Sequence, residues 1–237
     1  MQLRFIYQSI KEEEEIKLRS YLESYENLEN SLITYSRNFF DEEKMQKVER
    51  IKSFVKNINS NCNDHPCFRI YLTHPYRVAY YAIRLSCNPS VDLFTLGVLH
   101  NVYEVTGLLS EDLKKNSVNP KVANAIKLLT IVRKNESDPS YLADFYGAIE
   151  AHSSDLALIR CVDKLDNLLG TAIIEDDYFK KSYIDLAEQF VAPMAMRLNK
   201  EFGDYFYAIC EYMKGVSFRP NLKKSLDDLI TKSRGGK

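Results

Sequence analysis

Leu93-Phe94-Thr95-Leu96-Gly97-Val98-Leu99-His100-Asn101-Val102-Tyr103-Glu104 is apolar on almost every side, yet it carries a histidine, an amide and a carboxylate. A helix that is hydrophobic all round is a buried helix, and polar groups buried in it must find partners. His100 and Glu104 stand four apart, so they share a helix face, with Asn101 next to them. A second stretch has the same character: Leu156-Ala157-Leu158-Ile159-Arg160-Cys161-Val162-Asp163-Lys164-Leu165-Asp166-Asn167, interrupted by Asp163, Asp166 and Asn167. Asp163 and Asn167 are again four apart. Two buried helices with polar faces most simply face one another, and His74, in Thr73-His74-Pro75, opens a third helix that completes the set. The contents fit a metal held by two histidines and a carboxylate, a general base, and polar groups for phosphate. The alternative is a set of polar residues satisfied among themselves inside a helical bundle.

Outward from this centre the chain reads as mainly α. Apolar periodicity places helices at about 75–85, 90–105, 110–114, 120–130, 140–151, 154–172, 178–198 and 202–214. Pro75 and Pro120 sit where proline suits a first turn, and Pro193 is expected to kink or split its helix. Before them, residues 1–8 alternate loosely, as one short strand would. Helices follow at about 11–28 and 41–58, the second opened by Asp41 as N-cap. The run Glu12-Glu13-Glu14-Glu15 reads as a solvated first turn at the positive end of the helix dipole; a basic partner is the other reading. Asn57 to Pro66 is the most loop-like segment. It suggests an N-terminal helical appendage over 1–60, a main domain over 61–230, and a disordered tail over 231–237.

Composition narrows the class. The 237 residues are 45% hydrophobic, enough for a sizeable core, and 32 basic against 33 acidic residues leave no field that would favour nucleic acid or a membrane surface. No apolar run approaches the roughly 20 residues of a membrane span, and the first residues are too short a stretch for a signal peptide. Five cysteines, odd in number, fit reduced thiols in a cytoplasmic protein; Cys62 and Cys67 alone would make only half a zinc site.

Several motifs, in order, resemble the HD superfamily of metal-dependent phosphohydrolases, and within it the hydrolase domain of the Rel/SpoT alarmone enzymes and their small single-domain relatives. The family's Tyr-x-x-His-Pro-x-x-Val-Ala stands here as Tyr71-Leu72-Thr73-His74-Pro75-Tyr76-Arg77-Val78-Ala79. Its Leu-Leu-His-Asp-x-x-Glu-Asp-Thr stands as Val98-Leu99-His100-Asn101-Val102-Tyr103-Glu104-Val105-Thr106. Its Leu-Thr near a helix end stands as Leu129-Thr130, and its Lys-Leu-Ala-Asp-Arg-Leu-x-Asn as Arg160-Cys161-Val162-Asp163-Lys164-Leu165-Asp166-Asn167. A later Ala-Pro-Leu-Ala-x-Arg-Leu stands as Ala192-Pro193-Met194-Ala195-Met196-Arg197-Leu198. The resemblance covers residues 68–213 and implies an HD-type helical bundle.

Carried over position by position, the resemblance makes His74, His100 and Asp163 metal ligands, with Asn101 where a fourth, an aspartate, belongs. It makes Glu104 the surviving member of a Glu-Asp catalytic pair, with Asn101 beside it in the catalytic set. Arg69, Lys164 and Asn167 become substrate-contacting residues. The implied cofactor is a divalent metal, Mn2+ first. The implied ligand is a small nucleotide, a guanosine 3'-pyrophosphate such as (p)ppGpp, from which a metal-activated water removes pyrophosphate. One of Tyr71, Tyr76, Tyr103, Tyr141 and Tyr146 would stack on the base, unless all are wall and core residues. Two departures weigh against full activity: Asn101 brings no charge to a hard ion, and Val105 replaces the second acid. The expectation is a weakened metal-dependent phosphohydrolase; the alternative is an inactive relative acting as a nucleotide-binding or protein-interaction module.

Overall fold

Short polar side chains start most of the helices. Asp41, Ser90, Asn119, Asp138, Ser153, Asp176 and Asn199 each accept a hydrogen bond from a backbone N–H of the first turn they open. The computed structural model describes residues 9–22, 25–58 and 72–235, with side chains as far as 231. The strand expected at 1–8 lies outside the described residues, as do Arg69, Tyr71, Cys62 and Cys67. Among the described residues the chain is helical and has no β-sheet. No helix there is long and apolar enough to cross a membrane.

The elements are α1 (Ile10–Ser20), α2 (Tyr25–Ser36), α3 (Glu42–Asn57), α4 (Thr73–Leu85), α5 (Val91–Leu99), α6 (Val102–Val105), α7 (Ser110–Lys115) and α8 (Pro120–Leu129). They continue as α9 (Pro139–His152), α10 (Ser154–Leu169), α11 (Asp177–Leu186), α12 (Ala192–Leu198), α13 (Lys200–Gly215) and α14 (Pro220–Gly235).

Three departures from the sequence reading have physical reasons, and one expected break is found. The helix expected over 90–105 breaks at His100–Asn101: His100 Nδ1 donates to the Gly97 carbonyl at 2.7 Å, the acceptor that the Asn101 amide would take in a continuous helix. The helix over 178–198 is split as expected at Pro193, which has no amide hydrogen; α11 and α12 are joined by a π-helical turn at Ala187–Val191. The stretch expected to fray from Thr231 continues α14, whose Leu226 is buried. Finally, the glutamate run is not all solvated. Glu12 and Glu15 are exposed, but Glu13 and Glu14 are buried.

Helix α4 lies at the centre, packed on α2, α5 and α10. Its approach to α5 is close because position 97 lacks a side chain: a Cβ there would fall 2.5 Å from the Ala79 Cα. Leu32, Val48, Ile51 and Val55, from α2 and α3, are buried in the same core as Ala79, Phe94, Leu158 and Phe206. The division expected near residue 60 falls among residues outside the description. The helices on either side of it nevertheless share that core.

Candidate metal centre

The start of α4, the end of α5 and the middle of α10 meet at one point. His74 Nε2 lies 3.2 Å from Asp163 Oδ1, His100 Nε2 lies 3.5 Å from the same oxygen, and the two Nε2 atoms are 3.1 Å apart. One ligand-type atom from each of the three residues falls within 4.8 Å of the others. His100 and Asp163 are buried, and His74 is largely so.

The other ring nitrogens set the tautomers. His74 Nδ1 lies 2.7 Å from Asp166 Oδ2, and His100 Nδ1 lies 2.7 Å from the Gly97 carbonyl. Both partners are pure acceptors, so each Nδ1 carries its proton and each Nε2 presents a lone pair to the cluster. Two lone pairs and a carboxylate oxygen in contact repel one another unless a proton or a cation lies among them. Burial works against charging His74, and the Asp163 and Asp166 carboxylates outweigh it, raising its pKa above the ordinary value. Burial works against ionising Asp163, but the Arg160 charge beside it, with the two imidazoles close by, holds it well below the usual carboxylate range. The donor set of two imidazoles and one carboxylate suits a divalent transition ion.

Around the triad lies a ring of supporting contacts of the kind that orients metal ligands. Arg160 Nη1 donates to Asp163 Oδ2 at 2.7 Å, and Asn167 Nδ2 donates to Asp163 Oδ1 at 2.8 Å. Asp166, fully buried, receives His74 Nδ1, Arg77 Nε at 2.6 Å and the Lys17 ammonium. Burial alone would raise the Asp166 pKa; the Lys17 and Arg77 charges reverse that and hold it far below the usual range. Sequence reasoning marked Asp166 as polar but gave it no role, and it missed Lys17, Arg77 and Arg160. The available signal for Asp166 was its three-residue step from Asp163, which places both on one face.

No family model and no curated protein matches this chain. What it can do rests on the cavity of about 880 Å³ beside the triad. His74, Asn101, Glu104, Asp163, Lys164 and Asn167 all line it. Apolar side chains of α11 and α14, among them Phe179, Leu226 and Ile230, line it as well.

Glu104 is not free to act alone: its Oε1 accepts the Ile131 N–H at 3.1 Å, and its Oε2 lies 3.3 Å from Arg133 Nη2. Lys164 Nζ sits 3.2 Å from the Tyr183 hydroxyl and over its ring, and burial, helped by the Arg160 charge, pushes its pKa down to about 8. Val105 is buried in the core rather than on the cavity wall. Of the tyrosines expected to reach a base, Tyr146 lines the cavity. Tyr76 donates to Glu29 and Tyr103 to the Ala123 carbonyl, while the Tyr141 hydroxyl accepts the Val132 N–H, so these three are held in the framework.

Proposed function

We propose that this chain binds a divalent metal, manganese first, at His74, His100 and Asp163, and is an HD-type phosphohydrolase of small nucleotides whose hydrolysis is weakened. The carrying observation is the convergence of two Nε2 lone pairs on one Asp163 oxygen, with both Nδ1 atoms committed elsewhere. A bound divalent ion supplies Lewis acidity to a phosphoryl oxygen and a lower pKa for a coordinated water. The chain's own residues would do the rest. Lys164, whose ammonium meets a phenol rather than a carboxylate, is placed to receive a phosphate oxygen, and Asn167 keeps Asp163 oriented. The apolar side chains in the cavity wall and Tyr146 suit a nucleobase, and guanosine 3'-pyrophosphates are the proposed substrates.

Two observations favour weak turnover. Both Glu104 oxygens are engaged, by Ile131 and Arg133, so general-base action requires that pairing to open. Val105, at the position of the second acid, is packed into the core. A nucleotide-binding module without hydrolysis is therefore the second reading.

Calorimetric titration with manganese, followed by pyrophosphate release from guanosine 3',5'-bis(diphosphate), separates these readings. One ion per chain is expected, lost in Asp163→Asn, with slow release that rises about 10²-fold in Asn101→Asp, the size of one positioned catalytic group. Metal and nucleotide binding without release in either form would leave the binding module. Absence of metal binding by the unaltered protein would overturn the hydrolase reading, and absence of nucleotide binding as well would overturn both.

A further inference from the structure

We propose that Lys17, on the first helix and outside the stretch that carries the family resemblance, is a positioning residue for the metal centre, acting through Asp166 on His74. This rests on the reading of His74 as a ligand.

Lys17 is 1% exposed, an extreme position for a lysine, and its ammonium pairs with the Asp166 carboxylate, itself fully buried. That carboxylate has three claims on it: Lys17, Arg77 Nε at 2.6 Å on Oδ1, and His74 Nδ1 at 2.7 Å on Oδ2. Lys17 meets Oδ2, the same oxygen that takes the histidine proton. The ammonium thus fixes the oxygen that decides which His74 nitrogen is protonated, and therefore whether Nε2 offers its lone pair to the cluster. Arg77 holds the other oxygen and cannot substitute for it without rotating the carboxylate.

Helix α1 is built to deliver this charge. Tyr81 donates to the Glu13 carboxylate, Tyr212 donates to Glu14 Oε2 at 2.9 Å, and Arg219 Nη2 lies 2.8 Å from Glu14 Oε1. Those hydrogen bonds pin the turn before Lys17 to α4, α13 and the start of α14. Just after Lys17, the Tyr21 hydroxyl comes so close to α10's end that a Cβ at Gly170 would lie 2.3 Å from it. The Lys17 stem passes the same spot, its Cε 3.5 Å from that position. A side chain on Gly170 would push the helix, and its ammonium, away from Asp166.

The test uses the full chain with Lys17→Met, which keeps the stem's bulk and removes the charge, and Glu14→Gln as a control that loosens the same helix without touching Asp166. Two readouts are taken: manganese affinity by calorimetry, and the His74 Nδ1–H signal by NMR in the metal-free protein. Expected for Lys17→Met is a 10–100-fold loss of manganese affinity, the usual size for a ligand's supporting partner. The His74 proton signal should also move and exchange faster. Glu14→Gln, which loosens that pinning but keeps the ammonium, should lower the melting temperature and move both readouts much less than Lys17→Met does. Should Lys17→Met fail to fold, Lys17→Gln is measured in the same way. Unchanged affinity and signal in the Lys17 variant overturns the proposal, as does an equal loss in Glu14→Gln, which would make α1 mere packing. The NMR arm needs no metal, so a protein that binds no manganese sinks the ligand reading separately from the Lys17–Asp166–His74 linkage.

Discussion

Gly97→Ala sets two opposing terms against each other at the seam between α4 and α5. In an ordinary helix interior the change stabilises by about 1 kcal/mol. Here the new methyl would sit 2.5 Å from the Ala79 Cα and 2.7 Å from its Cβ, where carbon atoms prefer roughly 3.5–4.0 Å. The helices must therefore separate by about 1 Å, because the nearest atom is backbone and has no rotamer to escape into. Overpacking of this kind costs about 1–3 kcal/mol, and the rigid neighbour puts it at the upper end. The net expectation is a loss of about 1–2 kcal/mol, which lowers the melting temperature by about 2–8 °C for a chain of this size. The same separation pulls His74, on α4, from His100, at the end of α5, so manganese affinity should fall at least about tenfold. Gly147→Ala provides the opposite sign: nothing lies within 4 Å of the added carbon, so only the propensity gain remains. Denaturant unfolding and calorimetry of both variants check this. A Gly97→Ala protein as stable as the parent would refute the close packing, and one that is destabilised yet keeps its manganese affinity would refute the link from that seam to the ligands. Trimming the partner with Ala79→Gly should restore only part of the loss, since the main-chain carbon of residue 79 still stands in the way of the new methyl.

The other expectations follow from charge. Asn101→Asp adds an anionic oxygen to the cavity wall and should tighten manganese binding by an order of magnitude or more; equal titrations would show that position 101 does not reach the ion. Lys164, with a pKa lowered from 10.5 to about 8, is charged at pH 7 and loses its proton as pH rises through 8. Inorganic pyrophosphate affinity should accordingly fall above pH 8 and lose that dependence in Lys164→Met. The folded-state pKa lies below the unfolded one, so the cost of burying this ammonium is present below pH 8 and relieved between 8 and 10.5. Relative to Lys164→Met, the parent should thus gain stability across that window, as thermal melts at pH 7 and pH 10 will show; a flat difference would mean the ammonium is solvated.

His74, His100 and Asp163 were legible because burial of a polar residue on an apolar helix leaves a local trace, and three such traces have few ways to meet. Their supporting partners left no comparable trace. Asp166 is held from Lys17 and Arg77, which lie 149 and 89 residues away along the chain. Glu13 and Glu14 looked like a solvated turn because Tyr81, Tyr212 and Arg219 are 68, 198 and 205 residues distant. The break after Leu99 was hidden for a different reason: a ring nitrogen took a backbone acceptor, a competition that hydrophobic periodicity does not register. Pro193, by contrast, announced its own discontinuity.

The distances along the chain at which α1 is pinned bear on how the protein is made. A ribosome releases the N-terminus first, so α1 emerges long before Asp166, Tyr212 and Arg219 exist. Until then its buried Glu13, Glu14 and Lys17 have only water for company, and a helix of 11 residues is marginal alone. Loop closure over such separations is slow, which places docking of α1 among the last events of folding. The candidate metal centre consequently matures only when α1 has docked, and a translation product that stops between Asp166 and Tyr212 would carry Lys17 and all three ligand-type residues without the Tyr212 and Arg219 contacts that hold α1 in place.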